Sequence, residues 1–174
     1  MPIGSARWST LDRTANTTHR TTTARTFASK VSALSLNSKK RQGRKITMVT
    51  AYDFPSAVHV ARAGMDVVLV GDSLAMVEMG YNTTQPIDME HMIWHCASVK
   101  RGIDFAAAST VDEKFAAPLL VGDMPFGSDQ FEASDVALRN AYRFVKEAGV
   151  DAVKLEVSGV FVVDVGMMMK LKLT

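Results

Sequence analysis

Val67-Val68-Leu69-Val70-Gly71-Asp72-Ser73 decides the fold. An aliphatic, β-branched run with no polar face reads as a strand buried on both sides, the habit of parallel sheets covered by helices. The run ends in Gly-Asp-Ser, so a carboxylate and a hydroxyl stand where the chain leaves the sheet. α/β folds place their chemistry at that carboxyl end. Leu119-Leu120-Val121-Gly122-Asp123 repeats the pattern, its Val-Gly-Asp beginning 51 residues after the first. Two strands thus deliver two aspartates to one rim.

Working outward, Ile46–Ala51 reads as a preceding strand, and Tyr52-Asp53-Phe54-Pro55 as the turn into a short helix over Ser56–Ala63 closed by Gly64. Leu74–Gln85 has no sustained period and reads as a loop on the active side. A helix is expected from Asp88, its N-cap, to about Arg101, with Lys100 and Arg101 in the last turn and Gly102 closing it. Ile103–Pro118 then exceeds the 2–6 residues usual between helix and strand and reads as an insertion. Ser134–Ala148 carries Val136, Ala137, Ala141, Phe144, Val145 and Ala148 on one helical stripe, ended by Gly149. Gly149-Val150-Asp151-Ala152-Val153 echoes Gly64-Met65-Asp66-Val67-Val68, the mark of a repeated βα unit. The fourth strand, Ala152–Glu156, puts Lys154 and Glu156 on one face, being two residues apart.

Of 174 residues, 47% are hydrophobic and 22% charged, the composition of a globular domain with a real core. The formal charge of +2 conceals a division. Residues 1–45 hold ten Lys or Arg against the single acid Asp12; the rest holds ten against 17 acids. Net positive charge is therefore absent from the folded part, which argues against a nucleic-acid partner. No apolar run is long enough for a membrane span. One cysteine, Cys96, excludes an internal disulfide and fits a reducing compartment. The first forty residues, rich in Ser, Thr and spaced Arg, have the composition of a mitochondrial transit peptide, and Arg25-Thr26-Phe27-Ala28-Ser29 resembles the pattern at which such leaders are cut. A disordered basic tail on a cytoplasmic protein is the alternative. Either reading leaves residues 1–44 outside the fold.

Asp72, Asp123 and Glu156, one per strand end, are hard oxygen donors of the kind that hold Mg²⁺, and three carboxylates on one rim repel each other without a cation. Singly, each could be a turn or cap aspartate or glutamate; the repeated Val-Gly-Asp favours the shared site. Lys154, costly to bury, suits an anionic ligand or an ion pair with Glu156. His91-Met92-Ile93-Trp94-His95 has the spacing of a zinc helix, but Met92 stands where such enzymes carry glutamate, so both histidines read as structural. Met76, Met79, Met89 and Met92 read as core filler.

Thr50-Ala51-Tyr52-Asp53, Val70-Gly71-Asp72-Ser73-Leu74, His95 to Gly102, Val121 to Phe126 and Val153-Lys154-Leu155-Glu156 together resemble the ketopantoate hydroxymethyltransferase family, in order, over about residues 45–159. The resemblance implies a (β/α)₈ TIM barrel, of which this chain carries about four βα units after a disordered presequence, with 160–174 a divergent tail. It implies transfer of a hydroxymethyl group from 5,10-methylenetetrahydrofolate to 3-methyl-2-oxobutanoate, giving 2-dehydropantoate for pantothenate and coenzyme A, by way of a Mg²⁺-stabilised enolate. Asp72 and Asp123 would be metal ligands with Glu156 a further one, and Asp72, Ser73, Asp123 and Lys154 would hold the keto acid. The full-length family is expected to form homo-oligomers.

The chain departs from the pattern in the 103–118 segment, in Val157-Ser158-Gly159 where Gly-Gly is expected, and in having no counterpart of the family's catalytic base, a glutamate on a later strand. The expectation is therefore an N-terminal half that is inactive alone. Two alternatives remain open: a Mg²⁺-dependent lyase or mutase of the phosphoenolpyruvate mutase and isocitrate lyase kind, which usually carries a reactive cysteine in a glycine-rich loop, and a non-catalytic half-barrel that binds a full-length partner.

Overall fold

Apolar runs bounded by Asp and Gly become the strands of a parallel sheet in the computed structural model, which describes residues 29–128 and 134–155. Four strands, β2 (Met48–Thr50), β3 (Val67–Val70), β5 (Leu119–Asp123) and β6 (Ala152–Lys154), lie side by side in chain order, every pair parallel. A doubly wound sheet would reverse its order at a switch point; this sequential winding is that of a (β/α)₈ barrel, here about four units of it. The helices α2 (Phe54–Arg62), α4 (Met89–Ser109) and α5 (Ser134–Arg143, continued by a π-helical turn Phe144–Ala148) connect the strands. A short α3 (Leu74–Val77) lies in the segment expected to be all loop.

Val68, Val70 and Leu120 are fully buried, with Ala57, Met92, Cys96, Val99 and Phe144 among the helical residues of the same core. Gly122 shows which face is which. A Cβ there would fall 2.8 Å from Phe144 and 3.2 Å from Cys96 Sγ, so Gly122 faces the helices. Its neighbours Val121 and Asp123 must then face the other way, into the barrel. Among the described residues β2 is an outer strand, and Met48 on it is 60% exposed.

Asp88 caps α4 as expected, accepting from Glu90 N (3.0 Å) and His91 N (3.1 Å). The helix does not stop at Gly102, however, but runs to Ser109. Gly102 is the close-approach point for α2: a Cβ would sit 2.5 Å from the Phe54 carbonyl oxygen and 2.8 Å from Ala57 Cβ. Seven of the sixteen residues of the supposed insertion, 103–109, are thus two more turns of helix, and the real connection, 110–115, is short. The stripe of α5 buries Ala137, Ala141, Phe144 and Ala148, but the π turn rotates Val145 outward. Met89 and Met92 are core, whereas Met76 and Met79 are exposed.

The larger correction concerns residues 29–44. Ser29–Lys30 (β1) pairs in parallel with Ala116–Ala117 (β4), and Ala33–Arg41 (α1) follows with Ser32 as its N-cap. Lys39 Nζ lies 2.7 and 2.6 Å from the two oxygens of Asp66, and Lys30 Nζ 2.6 Å from Asp151 Oδ1. Asp66 also receives Thr47 N (2.8 Å), and Asp151 receives Leu120 N (3.0 Å). Each aspartate of the Gly-x-Asp echo therefore anchors the amino end of a neighbouring strand and takes one lysine from this arm. Basic composition suggested a tail; the lysines are held because their carboxylates belong to the sheet. Residues 1–28 of the expected 1–44 leader, and residues 156–174 with the expected divergent tail 160–174, lie outside the described residues.

Candidate active site

Strand register assembles the rim. Asp123 and Lys154 are direct partners across β5 and β6, so both side chains project from the same face of the sheet. Lys154 Nζ donates to Asp123 Oδ2 at 2.6 Å, and Met124 N, donating to the Lys154 carbonyl at 3.0 Å, extends the ladder one step past the strand end. One strand over, Val70 pairs with Gly122, which sets Gly71 level with Asp123 and brings the Asp72 N–H to Asp123 Oδ2 at 3.4 Å. Asp123 is only 2% exposed and Asp72 8%. Burial pushes the Asp123 carboxyl above its usual range; the Lys154 ammonium and the Asp72 amide pull it back down only in part, and the Asp72 charge pushes it up further. Its second oxygen, Oδ1, is buried and, among the described residues, has no hydrogen-bond partner.

Ser73 begins α3, yet its hydroxyl makes no cap bond there. It turns back over Gly71 instead, where a Cβ would lie 2.9 Å from Ser73 Oγ and 3.8 Å from Asp123 Oδ2. Only a glycine leaves room for that hydroxyl beside the carboxylate. Ser73 Oγ bonds the Tyr52 hydroxyl at 3.0 Å, and the Tyr52 carbonyl accepts from His95 Nδ1 at 2.6 Å. The rim thus draws on all four barrel strands. Sequence reading placed Tyr52 in a motif but gave it no role, because a tyrosine just after a strand carries no local sign of what its hydroxyl will meet.

Asp72, Ser73, Asp123 and Lys154 are brought together; Glu156 lies outside the described residues. Among those residues no group of three or more His, Cys, Asp and Glu is gathered to hold a metal. The orphaned Oδ1 of Asp123 fits a divalent cation all the same, because a buried carboxylate oxygen without a donor is what a hard cation satisfies. The zinc-like histidines face different partners: His91 Nδ1 bonds its own cap residue Asp88 at 2.6 Å, and His95 bonds Tyr52. Cys96 is fully buried, and burial together with the Asp123 charge pushes its thiol far up, so it stays protonated and unreactive.

The sequence profile of the family described as Ketopantoate hydroxymethyltransferase matches residues 30–173. The chain belongs to that family. The 3-methyl-2-oxobutanoate hydroxymethyltransferase 1, mitochondrial, of Oryza sativa subsp. japonica is 49% identical over 128 residues, 73% of this chain and 31% of the rice protein. Its counterpart in Arabidopsis thaliana is 47% identical over 73% of this chain and 33% of its own length. The enzyme of Alkaliphilus metalliredigens is 48% identical over 75% of this chain and 42% of its own. The chain therefore spans less than half the length of these relatives of the ketopantoate hydroxymethyltransferase family. Among solved structures, oxaloacetate acetylhydrolase aligns with TM-score 0.51 at 13% identity, covering 83% of this chain and 50% of that one. The 2,3-dimethylmalate lyase, a PEP mutase/isocitrate lyase superfamily member, aligns with TM-score 0.51 at 14% identity over 80% and 48%. At such identity the likeness is one of fold.

Proposed function

We propose that this rim is the metal and keto-acid side of a hydroxymethyltransferase that moves a one-carbon unit from 5,10-methylenetetrahydrofolate to 3-methyl-2-oxobutanoate, giving 2-dehydropantoate. The observation that carries it is Asp123: one oxygen held by Lys154, the other buried and without a donor. Asp72 and Asp123 would hold Mg²⁺, with Glu156 as the further carboxylate that the family resemblance implies. Mg²⁺ bound there supplies Lewis-acid stabilisation of the negative charge that builds on the keto oxygen as C3 loses its proton. Lys154 adds positive charge on the same side, and Ser73 presents a hydroxyl to the substrate carboxylate. The low-dielectric setting of Asp123 strengthens both effects. Removal of the C3 proton falls to a base beyond residues 29–155, so these residues bind and orient without completing turnover.

The family membership and the plant relatives' names support this reading; the lyase-like structures support the fold alone. A lyase or mutase of that kind usually carries a reactive cysteine in a glycine-rich loop, whereas Cys96 is buried in α4. The test is calorimetric titration of the 174-residue chain with 3-methyl-2-oxobutanoate, with and without Mg²⁺. Binding that requires Mg²⁺ and vanishes in D123N supports the proposal; equal binding without Mg²⁺ contradicts it.

The Ser, Thr and Arg-rich stretch 1–28 would serve as a mitochondrial leader, in keeping with the mitochondrial names of the rice and Arabidopsis relatives. Since Ser29 and Lys30 pair with β4, removal of the leader must end before Ser29. Terminal sequencing of the mature protein from isolated mitochondria checks this, and a cut beyond Lys30 would refute it.

A further inference from the structure

His95 does nothing in the reading above, and it is not a metal ligand. Its Nδ1 approaches the Tyr52 carbonyl oxygen at 2.6 Å, a distance at which a carbonyl acceptor requires a proton on that nitrogen. The bond is made between α4 and the turn after β2, 43 residues apart in sequence. It fixes the backbone of a residue whose own hydroxyl reaches Ser73 Oγ at 3.0 Å. Asp53, next in the chain, caps α2 through Ser56 N at 2.7 Å, so the turn is pinned from both sides.

We propose that His95 is a positioning residue: by holding the Tyr52 carbonyl it sets the Tyr52 hydroxyl on Ser73, and thereby aims the Ser73 hydroxyl at the carboxylate of a bound 2-oxo acid. The direction follows from donor counting. A carboxylate only accepts, so Ser73 must donate to it, and the lone pair left on Ser73 Oγ accepts from Tyr52. The order is then Tyr52 O–H to Ser73 Oγ, and Ser73 O–H to the substrate. Two features leave Ser73 available for this: α3 does not use its hydroxyl as a cap, and Gly71 makes room for it. Without Tyr52 the Ser73 hydroxyl turns freely among its rotamers, and without His95 the tyrosine loses its backbone anchor.

This inference rests on the reading that Ser73 faces the oxo acid, and the experiment separates the two. The full chain and its Y52F, H95A and H95N variants are titrated with 3-methyl-2-oxobutanoate at saturating Mg²⁺, and with Mg²⁺ alone. Y52F and H95A are expected to weaken oxo-acid binding about five- to ten-fold, the weight of one orienting hydrogen bond, with affinity for Mg²⁺ alone unchanged. H95N, whose amide nitrogen stands where Nδ1 does, should retain binding within about two-fold of the parent. In the ligand-free chain, long-range ¹H–¹⁵N spectra should show His95 with its proton on Nδ1. Parent-like binding by Y52F and H95A, equal loss of Mg²⁺ affinity, or an Nε2–H tautomer overturns the inference. No oxo-acid binding by the unsubstituted chain overturns the underlying reading and this inference with it.

Discussion

The two ends of one sheet treat their aspartates differently. At the amino ends of the strands, burial pushes the Asp66 carboxyl up, but Lys39, the Thr47 amide and the Thr47 hydroxyl outweigh it and hold the group below its ordinary range. Both Asp66 oxygens are engaged. At the carboxyl ends Asp123 is deeper, has one lysine and one long amide contact, keeps an orphaned oxygen and is pushed upward. Same residue type, same sheet, opposite balance: the floor aspartates are satisfied by the protein, and the rim aspartate is left for something that binds. Perturbed, incompletely satisfied groups mark functional sites for this reason.

The sharpest way to break this comparison is D123N. It should reduce Mg²⁺-dependent oxo-acid binding by about 100-fold or more, the loss of one ligand of a hard cation, while the melting temperature does not fall. A clear drop in melting temperature would mean that the rim carboxylate is structural. D66A is the reciprocal test: removing the acceptor of Lys39 and of the Thr47 amide should cost about 2–3 kcal/mol in denaturant unfolding. Next is pH. Asp66 is held low, so its stabilisation is complete above the unfolded value of 3.8 and is lost as pH falls below it. Asp123 is held high, so its ionised form costs stability at neutral pH, and that cost is relieved as pH falls toward 3.8. D123N should therefore gain on the parent chain at pH 7, and the gain should shrink toward pH 4 in paired denaturation curves. The smallest effect is K30A, because half-exposed Lys30 forms a screened pair with Asp151; about 1 kcal/mol or less is expected, smaller still in high salt.

The strands and the rim were legible in sequence because a strand buried on both faces has no polar positions, and because the Val-Gly-Asp repeat marks where two of them end. What escaped was set by distant contacts. Gly102 has the look of a helix terminator, with Lys100 and Arg101 before it, yet it is a glycine because α2 crosses there. Lys30 and Lys39 look like part of a basic tail, since their partners are 121 and 27 residues away. The outward turn of Val145 depends on a π turn that a stripe of 3.6 periodicity does not anticipate. Tyr52 stood in a motif, but its bond to Ser73 joins two strand ends that only the fold brings together.

The arm's two lysines also differ in when they can act. Asp66 leaves the ribosome soon after Lys39, so that pair can close while most of the chain is still unmade. Lys30 must wait for Asp151, 121 residues further on. Closing so long a loop is slow and entropically costly, so the Lys30–Asp151 pair is among the last contacts of the arm to form, after β1 has found β4.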